Sequence, residues 1–329
     1  MNLTRANPMK QITRIMAAHP SLSITLVRLL KNRRYLLFCI ICVFSLGCEK
    51  STDKDVTLIN FPNNADINKI VEHNNSVILI GGNSWTYGVI SKYDNQSIQL
   101  LEETDKELMA LSSSGDHLYA AGFNGYLYEL GDQIRFFRHD QGQIARDILI
   151  DNELLYLVGG KSYAIGYITI FNEDKRIVYN LDFPFELRSI TKLGDNLFAA
   201  GFGALMQSQN GGIGWKKLAP SGDFFVSLVK VNEDICFLIG QEGLIYKSEN
   251  GGTNWSSFRA KSNKQINGAR IFDNTLFLFC NDGIYQTYDV LDQKWKVFDV
   301  GKTNLNDGLL IDNTLILVGD NGFIGELEI

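Results

Sequence analysis

The chain has 329 residues and a formal net charge of −6. Seven of its 31 Lys and Arg residues lie in the first 47 positions, which hold no Asp or Glu, so the remainder carries 24 basic against 37 acidic residues and a formal charge of −13. Such an acidic sequence, without a basic stripe, has no general attraction for phosphate backbones and excludes nucleic acid as an expected partner. Its length suffices for one large all-β domain.

The amino-terminal segment is organised like a secretory signal. A basic cluster ending at Arg34 precedes an apolar run at 36–46, and Gly47 and Cys48 follow. Eleven apolar residues are too few for a comfortable membrane span, so we expect a signal peptide over residues 1–47. A translation start at Met9 or Met16 is an alternative, because the stretch before the basic cluster is longer than such signals need.

The sequence SLGC at 45–48 resembles the signal of bacterial lipoproteins, in which the cysteine takes a lipid and becomes the new amino terminus. The resemblance implies lipidation at Cys48, a short tether over residues 48–54 and a membrane attachment in the cell envelope. Glu49 stands where Asp would resemble an inner-membrane retention signal, so we expect the outer membrane, on its periplasmic side or at the surface. The alternative is an ordinary signal in which Cys48 is incidental.

The rest of the sequence repeats with a period of about forty residues. Each of seven units has a polar turn, a short apolar run, a closing glycine and a second apolar run, without helical periodicity. Successive closing positions lie 37 to 42 residues apart, and Cys280 replaces the glycine in the sixth unit. The closing glycines are Gly81, Gly122, Gly159, Gly201, Gly240 and Gly319.

Four strands in about forty residues is the size of a propeller blade. In the fifth unit we assign strands a to d to residues 224–231, 234–240, 243–248 and 254–258. The seventh unit ends one strand short, whereas the strand at 55–61 precedes the first unit without a blade of its own. Because a ring closes without exposed edges, we predict an all-β, seven-bladed β-propeller over residues 55–329, closed by this amino-terminal strand. An open two-sheet sandwich fits regular repeats poorly.

Two nearly identical phrases, SQNGGIGW at 208–215 and SENGGTNW at 248–255, lie between the predicted strands c and d. They resemble the Asp-box (BNR) repeat, Ser-x-Asp-x-Gly-x-Thr-Trp, with Asn in place of Asp. The motif specifies a turn, in which an amide accepts backbone hydrogen bonds and glycine adopts a positive φ. Its residues here are Ser208, Asn210, Gly212, Trp215, Ser248, Asn250, Gly252 and Trp255, and a worn third copy comprises Thr287, Asp289 and Trp295.

Asp-box propellers include sialidases, sortilin-type receptor domains and the photosystem II assembly-factor type of seven-bladed propeller. Residues 201–215 and 240–255 look most like the last group, which implies a non-enzymatic binding or assembly role. The Arg-Ile-Pro motif of the sialidase pattern is absent from this sequence. No nucleophile elbow or phosphate-binding loop occurs either.

The hairpins between strands b and c are longer in the first and third units, at 81–88 and 159–166, than elsewhere. In propeller topology these hairpins share one face with the connections from strand d to the next strand a. We predict that this face binds a protein or a glycan, because exposed aromatic side chains stack on sugars and anchor protein partners. The alternative is that the rings pack on their own blades. The candidate ligand-binding residues are Trp85, Tyr87, Tyr163, Arg146 and Arg188.

The other candidate function is a glycan-active enzyme of the glycoside hydrolase kind. Asp66, Asp147 and Asp307 lie near the starts of innermost strands, where two carboxylates could act as acid and nucleophile. The alternative is that they are surface carboxylates beside turns. We expect no cofactor and no metal, since Cys236 and Cys280 lack metal-ligand spacing and sit in apolar runs typical of buried thiols. We expect a monomer.

Overall fold

The computed structural model describes residues 57–61, 64–139 and 142–329. The predicted signal peptide (1–47), the tether (48–54) and Cys48 lie outside the described residues. Among the segments that are described, none forms a helix with the length and apolar character needed to cross a bilayer.

In the described part of the chain, twenty-eight strands form seven antiparallel four-stranded sheets, which confirms the predicted seven-bladed propeller. Within blades 1 to 6 the strands follow chain order from the innermost, strand a, to the outermost, strand d. Blades 1 to 3 comprise β2 (Asp66–His73), β3 (Ser76–Asn83), β4 (Tyr87–Asp94) and β5 (Ser97–Thr104); β6 (Leu108–Ser114), β7 (His117–Gly122), β8 (Tyr126–Glu129) and β9 (Arg135–Arg138); β10 (Ile144–Asp151), β11 (Leu154–Ser162), β12 (Ile165–Phe171) and β13 (Ile177–Phe183).

Blades 4 to 6 follow the same order, and the inner strands of successive blades are neighbours around the ring. They comprise β14 (Leu187–Leu193), β15 (Asn196–Gly201), β16 (Ala204–Ser208) and β17 (Lys216–Lys217); β18 (Phe225–Lys230), β19 (Cys236–Gly240), β20 (Leu244–Ser248) and β21 (Ser256–Arg259); β22 (Ile266–Phe272), β23 (Thr275–Cys280), β24 (Ile284–Asp289) and β25 (Trp295–Asp299).

Blade 7 joins the two ends of the described chain. It consists of β26 (Leu305–Ile311), β27 (Thr314–Gly319), β28 (Phe323–Glu328) and, as its outermost strand, β1 (Thr57–Asn60). β1 runs antiparallel to β28, with Thr57 opposite Glu326 and Asn60 opposite Phe323. The predicted closure by the amino-terminal strand is therefore confirmed, and β26 packs against β2 to complete the ring.

Apolar side chains fill the space between neighbouring blades. Between blades 5 and 6, for example, Phe237 and Ile245 pack against Leu278 and Tyr288, and all four are buried. Burying one such side chain stabilises the fold by roughly 1.5–3 kcal/mol. The seven inter-blade clusters therefore supply most of the driving force for a fold whose blades have no core of their own.

The glycine that closes most b strands has a steric cause. A Cβ atom at Gly81 would overlap the carbonyl oxygen of Asp66, and one at Gly122 would overlap that of Glu107. In each case the carbonyl belongs to the beginning of strand a in the same blade or to the residue just before it. The repeating glycine thus marks where two backbones approach too closely for a side chain.

Every a strand carries a β-bulge at the same place. The register between strands a and b shifts by one residue near the start of strand a in all seven blades. A bulge leaves one residue unpaired and re-aims its side chain. The seven bulge residues are Asn68, Met109, Arg146, Arg188, Val226, Asn267 and Asn306.

The three bulge asparagines fasten one blade to the next. The amide of Asn68 donates to the carbonyl of Leu108 over 2.7 Å, and that of Asn267 donates to Leu305 over 3.0 Å. Asn306 donates to Ile67 over 3.2 Å across the closure between blades 7 and 1. Each bond therefore links a bulge residue to the residue just before the bulge of the following blade.

The residue after the bulge makes a second link. Asp307 accepts the backbone N–H of Ile70 (3.2 Å) and the guanidinium of Arg270, whose Nη2 also donates to the carbonyl of Ile70 (2.6 Å). In the same way Asp147 accepts the N–H of Ile190 at 2.9 Å and the hydroxyl of Ser189 at 2.8 Å. The interpretation of Asp147 and Asp307 as surface carboxylates beside turns is wrong, because the bulge turns both toward the neighbouring blade.

The two Asp-box phrases form matching turns. Ser248 Oγ accepts the N–H of Gly252 (2.8 Å), and Asn250 Oδ1 accepts the N–H of Asn254 (2.8 Å). Trp255 donates its indole N–H to the carbonyl of Gly252 (3.0 Å) and packs edge-on against Phe198 of the preceding blade. The first phrase repeats these bonds with Ser208, Asn210, Gly212, Gly214 and Trp215.

The worn copy in blade 6 keeps part of this pattern. Asp289 Oδ1 accepts the N–H groups of Leu291 and Asp292, and Trp295 packs against Tyr288. Thr287 lies on β24 opposite Lys296. Both the intact and the worn copies therefore have a local structural role.

Candidate functional site

The face that carries the b–c hairpins and the d–a connections is here called the upper face. On it, the long hairpin of blade 1 turns between β3 and β4, and that of blade 3 turns between β11 and β12. Each is held by a glutamate just before strand a of the next blade. Glu107 donates its backbone N–H to the carbonyl of Ser84 (2.9 Å), and Glu186 donates its backbone N–H to the carbonyl of Tyr163 (3.1 Å).

The carboxylates of these glutamates differ in their partners. Glu107 accepts the amide of Asn68 (2.7 Å) and the N–H of Ser84 (2.6 Å), and burial raises the pKa of this carboxyl despite both bonds. Glu186, only 3% exposed, instead accepts Arg146 Nε at 2.6 Å and Arg188 Nη1 at 3.4 Å on the same oxygen. Two guanidinium groups thus share one carboxylate in blades 3 and 4.

Burial and the neighbouring charge of Arg146 lower the pKa of Arg188 to about 10, although Glu186 works in the opposite direction. The guanidinium of Arg188 also stacks on the ring of Phe224, with its carbon 5.0 Å from the ring centroid. Such cation–π contacts are worth about 0.5–2 kcal/mol. Arg188 therefore remains a cation at neutral pH, in a fixed position.

Three aromatic rings lie near this arginine pair. The centroid of Tyr163 lies 5.7 Å from that of Phe202 and 6.0 Å from that of Phe224, and the last two are 5.4 Å apart. Tyr163 is 65% exposed and Phe202 50% exposed. We call these three residues the aromatic cluster. The cluster exposes apolar surface to solvent across three consecutive blades, because its members belong to blade 3, blade 4 and the start of blade 5.

Two adjoining cavities open on the upper face beside the aromatic cluster. The larger, of about 560 Å³, is lined by the cluster, Glu186, Arg146, Arg188 and the polar residues Ser162, Gln241 and Gln265. The smaller, of about 180 Å³, lies on the ring axis, because the bulge residues of all seven blades line it together with Lys69 and Gln241. Arg146, Arg188 and Gln241 belong to both.

The structure brings three of the five candidate ligand-binding residues together: Tyr163, Arg146 and Arg188 line the larger cavity. Trp85 and Tyr87 lie apart from them on blade 1. Trp85 is 45% exposed and packs edge-on against Phe123, with centroids 5.2 Å apart. Tyr87 donates its hydroxyl to Glu103 of the same blade (3.0 Å). Whether any of the five contacts a ligand stays a prediction.

Sequence reasoning missed Phe202, Phe224 and Glu186. Phe202 follows the closing Gly201 in a hairpin of ordinary length, and the positions of Phe224 and Glu186 just before an a strand carried no signal of their own. A comparison of these positions across the seven units would have singled out the two glutamates. Only they precede an a strand after a unit with a long hairpin.

The candidate hydrolytic carboxylates are directed elsewhere. Asp147 and Asp307 are bound between inner strands, and Asp66 accepts the N–H of Asn321 (2.7 Å). Among the described residues that line the two cavities, the single carboxylate is Glu186, which is bound to Arg146. Among the described residues, neither of these two cavities is therefore lined by the pair of carboxylates that the glycoside hydrolase alternative needs.

Cys236 and Cys280 are buried free thiols, as the apolar runs around them predict. Burial raises their pKa values, to about 12 for Cys236 and about 11 for Cys280. Within the described part of the chain, no cluster of three or more His, Cys, Asp or Glu side chains is arranged to hold a metal ion.

Solved structures share this fold. The WD40 β-propeller domain of Doa1 aligns with a TM-score of 0.68 and 11% sequence identity, over 84% of this chain and 97% of that one. The computationally designed Ika8 protein aligns with a TM-score of 0.58 and 11% identity, over 84% of this chain and all of that one. No family model and no curated protein matches the sequence. At this level of identity the likeness shows the β-propeller fold alone, and the Asp-box family stays a resemblance.

Proposed function

We propose that this chain is a non-catalytic binding or assembly module that recognises a protein or glycan partner through the aromatic cluster. The exposure of Tyr163 and Phe202 beside a cavity of about 560 Å³ is the observation that carries the proposal. Aromatic side chains at such sites lose little conformational entropy on binding and offer a large apolar surface. Arg188, stacked under Phe224, adds a charged donor at the same place.

The proposal extends to the location of the protein. We propose that Cys48 carries a lipid and that residues 48–54 tether the propeller to the bacterial outer membrane. The SLGC resemblance supports the lipid, and the outer membrane is supported by Glu49, which stands where the inner-membrane retention signal has Asp. Mass spectrometry of the amino-terminal peptide tests it, since an unmodified cysteine or an uncleaved leader is incompatible with the tether.

The partner can be sought by pull-down of the tagged full chain from its native envelope, beside a glycan array. We expect Tyr163→Ala and Phe202→Ala each to weaken recovery of the partner at least tenfold, because truncation of a central aromatic anchor costs about 2 kcal/mol or more. The matched control is Phe136→Ala, since Phe136 is also 50% exposed but lies on the outermost strand of blade 2.

Trp85→Ala tests whether the partner binds at the long hairpin of blade 1 rather than at that of blade 3. If Trp85→Ala abolishes recovery while Tyr163→Ala leaves it intact, the binding surface lies on blade 1 and the assignment to the aromatic cluster is wrong. Hydrolysis of a glycosidic substrate by the purified chain would overturn the non-catalytic proposal altogether.

A further inference from the structure

The seven bulge positions are equivalent in the fold but unequal in what they do. Asn68, Asn267 and Asn306 fasten their blades to the next one through backbone carbonyls. Met109 and Val226 present apolar side chains to the cavity on the ring axis. Arg146 and Arg188 are the remaining two, and they make no such inter-blade bond to a backbone carbonyl among the described residues. Arg146 joins blade 3 to Glu186 before blade 4, as Asn68 joins blade 1 to Glu107, but neither arginine makes the backbone link of the asparagines.

The donors of these two arginines are largely unused. Within the described part of the chain, Arg146 bonds through Nε alone, so both of its terminal nitrogens lack a hydrogen-bond partner. Arg188 makes one long contact of 3.4 Å through Nη1. Lys69, which follows the bulge in blade 1 and lines the same cavity, has no hydrogen bond or ion pair to any described residue. Desolvated donors without partners are costly unless something binds them.

The charged side chains that line the cavity are all positive. Three cations line the cavity of about 180 Å³ and no carboxylate does. Of the carboxylates nearby, Glu186 is shared by the two arginines, and Glu107 accepts Asn68 and Ser84. Asp147 and Asp307 are bound between inner strands, Asp307 with Arg270 as its own ion-pair partner. These carboxylates hold the walls of the cavity, while its open volume faces Lys69, Arg146 and Arg188.

The remaining lining consists mainly of hydrogen-bonding amides. Asn68, Asn267, Asn306 and Gln241 surround the cations. A concave site with converging cations and amide groups attracts a small anion more strongly than the same charges on a convex surface. The chain as a whole has a formal charge of −6. The positive charge of this site is therefore a local feature and does not follow from a basic composition.

We infer that the cavity on the ring axis is an oxyanion site, which takes a carboxylate, sulfate or phosphate group between Arg146, Arg188 and Lys69. The inference rests on the proposed function and deepens it. The two cavities share Arg146, Arg188 and Gln241, so the partner that covers Tyr163 presents an acidic group to the ring axis.

The test is calorimetric titration of the full chain with sodium acetate, sulfate and phosphate at constant ionic strength, with chloride as the reference anion. We expect saturable binding of at least one oxyanion at a single site. Arg188→Met and Lys69→Met should each weaken it roughly tenfold or more, because each removes a charge-assisted hydrogen bond. Arg259→Met and Lys217→Met make the same chemical changes at exposed positions on strand d of blades 5 and 4, and should leave the affinity unchanged.

If acetate binds most tightly, the acidic group of the partner is a carboxylate. If sulfate or phosphate binds most tightly, that group is a sulfate ester or a phosphate ester. Lys69→Met keeps the test valid if Arg188→Met fails to fold, since Lys69 makes no hydrogen bond or ion pair with a described residue and acts on Asp147 and Asp307 only through its charge. The inference is overturned if no oxyanion binds saturably, or if the affinity is the same in Lys69→Met. The pull-down with Tyr163→Ala is an independent readout. Loss of the partner in that variant without any oxyanion binding would leave the proposed function standing and remove only this site.

Discussion

Single residues next to the bulge decide how one blade is joined to the next. The sequence marks Asp147 and Asp307 by their position near the start of strand a, yet it does not reveal their role. A side chain in a regular strand alternates between two faces, and one unpaired residue shifts every later side chain to the other face. The bulge itself has no signature in the sequence, so the contacts of these aspartates could not be predicted from the residues alone.

The pair of Asp307 and Arg270 makes the first prediction, which concerns stability. Burial opposes ionisation of Asp307, but Arg270 and Lys69 outweigh it and hold the pKa of this carboxyl below its usual value of 3.8. We expect Asp307→Asn to lower the free energy of unfolding by roughly 3–5 kcal/mol at pH 7, because Arg270 then lacks its counter-charge.

The sign of the pH dependence follows from the lowered pKa. An ionised Asp307 adds stability above pH 3.8, and this contribution is lost as the pH falls through the lower folded value. Denaturant unfolding at several pH values should therefore show the wild type and Asp307→Asn converging in acid. Asp292→Asn, at an exposed pair with Lys294, is the control and should differ from the wild type by less than about 0.5 kcal/mol. A difference for Asp307→Asn that is constant with pH would contradict the argument.

At the scale of elements, the strands and the turns could be predicted from the sequence. Which loops of different blades lie next to each other could not. The forty-residue period, the closing glycine and the Asp-box phrases each depend on local backbone geometry, and local geometry has a local sequence signal. Tyr163 was predictable because its hairpin is longer than the others. Phe202 and Phe224 come from two further blades, and no local pattern states that rings 22 residues apart will lie 5.4 Å from each other. The aromatic cluster is thus a product of the ring rather than of any one element.

The Asp-box turn of blade 5 allows a matched pair of substitutions. Gly251 and Gly252 both have positive φ, of 63° and 80°, so alanine at either position costs about 1–2 kcal/mol of backbone strain. Only at Gly252 would the added Cβ overlap the ring of Phe198, which is fully buried. We expect Gly252→Ala to destabilise the protein by a further 1–3 kcal/mol or so relative to Gly251→Ala.

Thermal unfolding of the two variants measures this difference. Equal melting temperatures would mean that Phe198 moves aside freely, and the Asp-box turn would then not be packed against blade 4 as described. Ser248→Ala tests the same turn from its other side, since it removes the acceptor for the N–H of Gly252.

At the scale of the whole molecule, the ring is closed by one short strand. The sequence revealed this closure by simple counting, because one unit lacked a strand and one strand lacked a unit. What counting could not provide is the position of the larger cavity. Its lining comes from blades 3 to 6, whereas the closing strand completes blade 7. The position of the cavity relative to the closing strand depends on which loops carry aromatic and charged side chains. It also depends on the direction in which each of the seven bulges points its side chain.

The closing strand can be tested through its two faces. Ile59 packs against the cluster between blades 7 and 1, whereas Leu58, the preceding residue, is 65% exposed. We expect Ile59→Ala to lower the free energy of unfolding by about 1–2 kcal/mol, as for a partly buried residue, and Leu58→Ala to change it by less than about 0.5 kcal/mol. Denaturant unfolding measures both. If Leu58→Ala lowers the free energy of unfolding more than Ile59→Ala does, then Leu58 faces the cluster and the register of β1 is shifted by one residue.

The closing strand also fixes how the ring would carry a mechanical load. β1 begins at Thr57, opposite Glu326, near the end of β28 that lies away from the upper face. The chain then passes through the buried Phe61 toward β2. A pull on the residues before Thr57 is therefore divided between two blades. Blade 7 takes it through the hydrogen bonds to β28, and blade 1 takes it through the covalent chain. Tension applied there bears on both sides of the closure at once, on the face opposite the cavities.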